Sequence, residues 1–153
     1  MGIRDYICKL QTALKLHLKE EHGIASVPSD NTGVFLDEKT KIASIGVQVR
    51  HRLTSHGFAI NVTAEPAQWF EQVVACGLVD VRAGCIADAS TTRSREGVAV
   101  AGEINGMVKR FGRVFGREVL PLTAEEHTEM CEAIRSVEDE ARRAGPWPTA
   151  PSL

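Results

Sequence analysis

Apolar residues near the start of the chain recur at helical spacing. Ile3, Tyr6, Ile7, Leu10, Leu14 and Leu18 follow an i, i+3, i+4, i+7 series. This series predicts an amphipathic helix that packs on a core and stops at Gly23. Basic residues in the same stretch are also typical of a mitochondrial presequence, whereas Asp5, Glu20 and Glu21 are not. We therefore favour a structural helix.

After Gly23 the spacing of apolar residues changes from that of a helix to that of β-strands. A short strand is predicted over 24–27, and two β-rich runs over 33–36 and 41–49 are joined by the polar segment 37–40. A third run over 53–62 alternates in its second half, where Phe58, Ile60 and Val62 share one face. Three neighbouring strands predict an antiparallel sheet.

The remainder of the chain reads as helical. A short helix is predicted to open at Pro66 and to end at the Ala75-Cys76-Gly77 junction. Residues 98–120 have roughly helical apolar spacing, although Gly97 just before the run and four glycines inside it weaken that prediction. Thr123 and Glu126 form a capping box for a last helix that ends near Gly145. The fold class is α+β, with a mixed or antiparallel sheet packed with helices.

Composition limits the function classes. The chain has 153 residues, 43% of them hydrophobic and 25% charged, which fits one folded core. The formal net charge of −2 argues against a general polyanion-binding surface, so we expect no nucleic-acid partner. The sequence lacks a run of 18 uncharged apolar residues, so we expect no membrane span.

Cysteine and histidine spacing gives no metal signature. Cys8, Cys76, Cys85 and Cys131 lie too far apart in sequence for a zinc knuckle, and reduced thiols are the expectation. His17, His22, His51 and His127 share no ligand spacing with one another or with carboxylates. No metal site is predicted.

Three side chains are candidates for chemistry. Cys76 precedes Gly77 at a helix-to-loop junction, where a thiol is accessible, but a free cysteine is more often a small buried apolar residue. Lys41 is followed by apolar residues, so its ammonium can stabilise a thiolate or act as a base; the alternative is a solvated turn lysine. His56 either pairs with Cys76 or makes a structural hydrogen bond.

Four blocks of sequence together resemble one family. They are Thr32-Gly33-Val34-Phe35, residues 41–46, the run from Ser55 to Val62, and Ala75-Cys76-Gly77. In this order and with these separations, the region from Ile3 to Ile86 is similar to the lipoyl(octanoyl) transferases. Gly46 and Gly57 fall inside two of the blocks, at positions where a ligand can approach the backbone closely.

The resemblance implies a fold related to the biotin and lipoate protein ligases and a two-step acyl transfer. An octanoyl group would pass from the phosphopantetheine thioester of acyl carrier protein to Cys76, and then to a lysine of a lipoyl domain. Acceptors would be the lipoyl domains of 2-oxoacid dehydrogenases and the glycine cleavage H protein. No further cofactor and no metal is implied, because the thioester is already activated.

The resemblance also assigns residue roles. Cys76 would be the nucleophile, and Lys41 would lower the pKa of its thiol. The acyl site would be lined by Ser44, Ile45, Gly46, Gly57, Phe58 and Ala59. The mild departures from the family pattern are Ala75, where proline is frequent, and Phe35, where tryptophan is frequent.

The larger departure concerns the start of the domain. The family's first third, with a Gly-Gly pair, a threonine and a His-Gly-x-Gly-Gln segment, has no counterpart here, so we expect an N-terminally truncated octanoyltransferase. Residues 1–86 would be the catalytic part, 87–145 a helical extension and 146–153 a loose tail. We expect a mitochondrial location in a eukaryote and a cytoplasmic one in a bacterium, with no targeting segment in this chain.

Two rival functions stay open on the sequence. One is a catalytically inactive fragment or interaction module of the same fold, since the missing region contributes to the acyl pocket. The other is a thioester hydrolase that uses Cys76 with His56.

Overall fold

The computed structural model describes residues 1–70, 72, 80–123, 125 and 127–146, except for the side chain of residue 56. It divides into two compact units, Met1–Glu118 and Val119–Leu153. The predicted boundary after Ile86 falls inside the first unit, and residues 87–118 are part of that unit. The α+β class predicted from the sequence is confirmed.

The first unit opens with a long helix and a sheet. Helix α1 spans Ile3–His22 and ends at Gly23, whose φ of 65° is the left-handed conformation that glycine adopts without strain. Strands β1 (Val34–Asp37), β2 (Thr40–Arg50) and β3 (Leu53–Ile60) follow as an antiparallel meander in the order β1-β2-β3. The helix and the three-strand sheet predicted from periodicity are therefore confirmed.

A fourth strand was not predicted. After α2 (Ala67–Phe70), strand β4 (Arg82–Ala83) pairs in parallel with the start of β2, where Thr40 faces Arg82 and Lys41 faces Ala83. Two residues are too few to produce a periodic signal, so only the tertiary contact defines this strand. The sheet is consequently mixed, because β4 pairs in parallel with the beginning of β2 while the other strands are antiparallel.

Two predicted elements have different bounds in the structure. The predicted strand over 24–27 is reduced to a single bridge between Val27 and Phe35. The predicted helix from Pro66 is seen over Ala67–Phe70, and its continuation at 71 and 73–79 lies outside the described residues.

The glycine-rich region after the sheet forms short helical elements and one long helix. Helix α3 spans Ile86–Ala89, a 3-10 turn spans Arg95–Gly97, and α4 spans Val100–Phe115. The predicted helix over 98–120 is thus confirmed in its middle and ends at Gly116, which has a φ of 62°. No helix of the described residues is long and apolar enough to cross a bilayer.

The second unit contains helix α5, Thr128–Ala144. It begins later than the predicted capping box indicates, and Glu126 of that box lies outside the described residues. Its surface carries local ion pairs, with Arg142 lying 3.1 Å from Asp139 and 3.5 Å from Glu138. Exposed pairs of this kind contribute only a few tenths of a kcal/mol.

The hydrophobic core lies between α1, the sheet and the segment after β4. It is formed by Leu14, Leu18, Ile24, Val34, Ile42, Ala43, Val62, Cys85, Ile86, Ala87 and Val98. Phe58 and Ile60 pack against this cluster from one face of β3, as their alternation predicts. One face of α1 therefore covers the sheet.

Helix α4 is joined to α1 by buried polar contacts. The Nε2 atoms of His17 and His22 lie 2.8 and 2.7 Å from the same Oε2 atom of Glu103. Burial raises the pKa of Glu103, but the hydrogen bonds from His22 and His17 outweigh it, so the pKa is lowered and the carboxylate is ionised. At the rim, Arg110 Nη1 lies 2.6 Å from Glu21 Oε1, and Arg110 Nε lies 3.2 Å from Glu20 Oε2.

We expect Leu14→Ala to lower the free energy of unfolding by about 2–5 kcal/mol, because the side chain is fully buried and its removal leaves a cavity in the core. Leu53→Ala is the matched control, since Leu53 is 77% exposed, and its effect should stay within about 0.5 kcal/mol. Urea unfolding followed by circular dichroism measures both. Equal losses in the two variants would contradict this core assignment.

Candidate active site

The six residues assigned to the acyl site come together on one hairpin. Ser44 faces Ala59, Ile45 faces Phe58 and Gly46 faces Gly57 in consecutive cross-strand pairs of β2 and β3. The cross-strand pair closest in sequence, Gly46 and Gly57, is 11 residues apart, so the antiparallel register is what brings the two groups together. The register thus assembles one continuous patch.

The two faces of this patch differ. Ile45 and Phe58 pack against the core, whereas Ser44, Gly46 and Ala59 are exposed. Ser44, Gly46, Gly57 and Ala59 share the second face because side chains alternate along a strand. Within the part of the chain that the structure describes, a Cβ added at Gly46 or Gly57 would meet no heavy atom within 4 Å. The outer face is consequently an open strip of small residues.

Lys41 lies at the beginning of the same strand and is half-buried. Its Nζ is 5.6 Å from the centroid of the Phe35 ring, a distance at which a cation interacts with an aromatic face. Phe35 itself is 1% exposed. The position where the resembled family frequently has tryptophan therefore keeps an aromatic ring beside the lysine.

Gly33 makes room for the Lys41 side chain. Its φ of 133° is unfavourable for other residues, and an added Cβ would lie 2.5 Å from Lys41 Cε and 2.6 Å from the Ala43 carbonyl oxygen. The Thr-Gly-Val-Phe block thus has a steric reason: its glycine allows the lysine stem to pass and its phenylalanine supports the ammonium group.

Strand β4 closes the pocket beside Lys41. The Arg82 amide donates to the Lys39 carbonyl at 2.8 Å, and the Gly84 amide donates to the Lys41 carbonyl at 2.9 Å. Arg82 Nε also donates to Thr40 Oγ1 at 2.9 Å. The pocket is lined by Lys41, Ser44, Asn61, Phe70, Val81, Arg82 and Ala83.

Five of these lining residues were not assigned from the sequence: Asn61, Phe70, Val81, Arg82 and Ala83. Asn61 stands inside the Ser55–Val62 block, and its Nδ2 donates to the Gly84 carbonyl at 2.9 Å, which ties the end of β3 to the chain after β4. Arg82 adds a second cation, and Phe70 adds an apolar wall. The position of Asn61 in a motif was a usable signal, whereas Arg82 and Phe70 depend on tertiary contacts alone.

The predicted nucleophile, Cys76, lies outside the described residues, and its role stays a prediction. Phe70 and Val81, which come before and after Cys76 in sequence, both line the pocket that contains Lys41. His56 pairs with Val47 in the β2–β3 ladder, next to Gly57, but its side chain is outside the description.

The other cysteines are free thiols. Cys8 is exposed, Cys131 is half-buried and Cys85 is buried. Burial raises the pKa of the Cys85 thiol, so this thiol is unsuited to act as a nucleophile. Cys85 is therefore not an alternative to Cys76.

Comparison with known proteins gives consistent matches. A probable octanoyltransferase from Schizosaccharomyces pombe is 37% identical over 75 residues, which are 49% of this chain and 34% of that protein. The mitochondrial octanoyl-acyl-carrier-protein:protein N-octanoyltransferase of Homo sapiens is 39% identical over 82 residues, 52% of this chain and 34% of that protein. The chain is similar to octanoyltransferases over about half of its length.

A longer match extends the relationship. An octanoyltransferase from Xanthomonas campestris is 28% identical over 124 residues, 81% of this chain and 50% of that protein. Residues 1–86 are fewer than 124, so the similarity continues beyond Ile86, where the initial resemblance stopped. The chain spans about a third to a half of the length of these relatives. No family model matches it.

We expect Gly33→Ala to destabilise the chain by about 1–3 kcal/mol, because the new Cβ meets Lys41 Cε and the Ala43 carbonyl at a positive φ. Gly46→Ala is the matched control on the adjacent strand, with no atom near its added Cβ, and should change stability by less than about 0.5 kcal/mol. Urea unfolding compares the variants. A neutral Gly33→Ala would disprove the steric role of Gly33.

Proposed function

We propose that this chain carries part of the acyl-transfer site of an octanoyltransferase in protein lipoylation. The observation that carries the proposal is the hairpin register. It joins the six residues of the expected acyl site in three consecutive pairs on β2 and β3. Strand β2 also bears Lys41. The relatives named octanoyltransferase support the same chemistry.

The proposed reaction has two balanced steps. The Cys76 thiolate attacks the octanoyl carbonyl of the phosphopantetheine thioester, a new carbon–sulfur bond forms, and the carrier thiol leaves and takes up a proton. A neutral acceptor lysine then attacks the acyl-enzyme, an amide forms, and the Cys76 thiolate is released while the amine loses its proton to a base. Both leaving groups are thiolates, so no nucleotide is consumed.

Cations beside the thiol would favour the first step. Lys41 and Arg82 line one pocket, and the chain on both sides of the segment that contains Cys76 reaches that pocket at Phe70 and Val81. Positive charge near a cysteine lowers the pKa of its thiol and so raises the thiolate fraction at neutral pH. Lys41 is the group we assign to this role.

The open strip of small residues is the proposed binding surface for the acyl chain. Ser44, Gly46, Gly57 and Ala59 present little side-chain bulk, so an extended hydrocarbon can lie against the backbone there. Ile45 and Phe58 would support the strip from beneath. Backbone N–H groups near the glycines would be the oxyanion donors.

The finer assignments are part of the same proposal. The mixed sheet with packed helices would belong to a catalytic domain of the biotin and lipoate protein ligase type. The donor would be octanoyl-acyl carrier protein, and the acceptors would be lipoyl domains of 2-oxoacid dehydrogenases and the glycine cleavage H protein. The human and Danio rerio relatives are named mitochondrial, which supports a mitochondrial location if this chain is eukaryotic.

Incubation with octanoyl-acyl carrier protein should add one octanoyl group to Cys76, because this thiol attacks the donor thioester. Intact-mass spectrometry and peptide mapping locate the adduct. Cys76→Ser should abolish it, and Cys8→Ser, which removes an exposed thiol from helix α1, should leave it unchanged.

Two outcomes would count against octanoyl transfer by this chain. Absence of an adduct on folded protein that binds a lipoyl domain would favour an interaction module of the same fold. An adduct that disappears by hydrolysis, and persists in His56→Ala, would favour a thioester hydrolase that depends on His56.

We expect Lys41→Met to slow acylation of Cys76 at pH 7 by about tenfold for each unit by which the pKa of the thiol rises, because the thiolate fraction falls in proportion. Lys39→Met removes an exposed lysine two residues away and should have no such effect. The pH dependence of iodoacetamide alkylation of Cys76 measures the thiol directly. An identical profile in both variants would remove Lys41 from the proposed role.

A further inference from the structure

A buried group of three metal-ligating side chains lies away from the candidate active site. His17 and His22 come from α1 and Glu103 comes from α4, with side chains that are 1%, 0% and 6% exposed. One ligand atom from each falls within 4.8 Å of the others. From this geometry we propose that His17, His22 and Glu103 form a binding site for a divalent transition-metal ion such as Zn²⁺.

The donor set fits this class of ion. Two imidazole nitrogens and one carboxylate oxygen are a common zinc ligand set, and imidazole favours Zn²⁺ and its neighbours over Mg²⁺ or Ca²⁺. A fourth position would be filled by water. Because the three side chains are almost fully buried, the ion would join two helices and would not act on a substrate.

The three side chains are already gathered without an ion. The Nε2–Oε2 distances of 2.8 and 2.7 Å are hydrogen bonds in which both imidazoles donate to the carboxylate. In a tetrahedral zinc site with bonds near 2.0–2.1 Å, neighbouring ligand atoms are about 3.3 Å apart. Binding therefore requires each nitrogen to separate from the oxygen by about half an ångström, and the widest spacing within the group, up to 4.8 Å, to close toward that value.

The proton balance is simple. An imidazole that carries a single proton would keep it, moved from Nε2 to Nδ1 as Nε2 binds the ion, and in that case no net proton is released. At His22 the Nδ1 atom lies 3.4 Å from Ser90 Oγ, which can accept that proton in a hydrogen bond. At His17 the Nδ1 atom has no hydrogen-bond partner among the described residues.

Charges around the site come from three elements. Arg93 Nη1, from the segment before α4, lies 3.5 Å from Glu103 Oε1. Arg110 of α4 pairs with Glu20 and Glu21 of α1. Arg93 Nη2 also lies 3.4 Å from Glu21 Oε2, so both arginines have carboxylate partners other than Glu103, which limits their repulsion of an incoming cation.

The test is Zn²⁺ titration of the full chain after dialysis against a chelator, followed by isothermal calorimetry. One equivalent should bind and raise the melting temperature, whereas Mg²⁺ should do neither. Glu103→Gln and His17→Gln should each weaken Zn²⁺ binding more than about a hundredfold, since loss of an outer partner alone costs about 10–100-fold. His51→Gln removes an exposed histidine and should leave binding unchanged.

A second measurement does not depend on folded variants. In wild-type protein, ¹⁵N NMR should show the Nε2 signals of His17 and His22 shifting on addition of Zn²⁺, while the ring signals of His51 and His127 stay in place. Failure of wild-type protein to bind Zn²⁺, or binding that leaves the His17 and His22 signals unmoved, would overturn the proposal and leave a purely hydrogen-bonded cluster.

Discussion

One carboxylate holds the helical layer of the first unit together. Oε2 of Glu103 accepts hydrogen bonds from both His17 and His22, so a single residue of α4 binds two positions of α1. Breaking a buried pair of this kind costs about 3–5 kcal/mol, because it leaves polar groups without partners. Burial is also the main cause of the lowered pKa of His17, which favours the neutral ring that this arrangement uses.

The position of α1 in turn supports the sheet that bears the candidate site. Its apolar face contributes Leu14 and Leu18 to the core, and the same core contains Ile42 and Ala43 of β2. These two residues lie directly between Lys41 and Ser44 in sequence. Helix packing, the core and the proposed acyl site are therefore connected through one strand.

Glycine has one steric role beside Lys41 and the opposite role along the β2–β3 hairpin. At Gly33 the missing side chain is needed, because Lys41 Cε and the Ala43 carbonyl occupy the space of a Cβ. At Gly46 and Gly57 the space beside the backbone is open. Gly33 is therefore needed for local packing around Lys41. Gly46 and Gly57 leave a surface on which the proposed acyl chain can bind.

Periodicity in the sequence was sufficient to predict α1, the three-strand meander and the middle of α4, since each has an apolar face that repeats with its own period. The four motif blocks pointed to Lys41 and the hairpin residues before any contact was known. Tertiary structure alone decided the parallel β4, the Arg82 contribution and the cluster of His17, His22 and Glu103. A spacing of five residues places two side chains about 140° apart around a helix axis, so the sequence gives no sign that His17 and His22 meet. The carboxylate of Glu103, from another helix, brings the two imidazoles together.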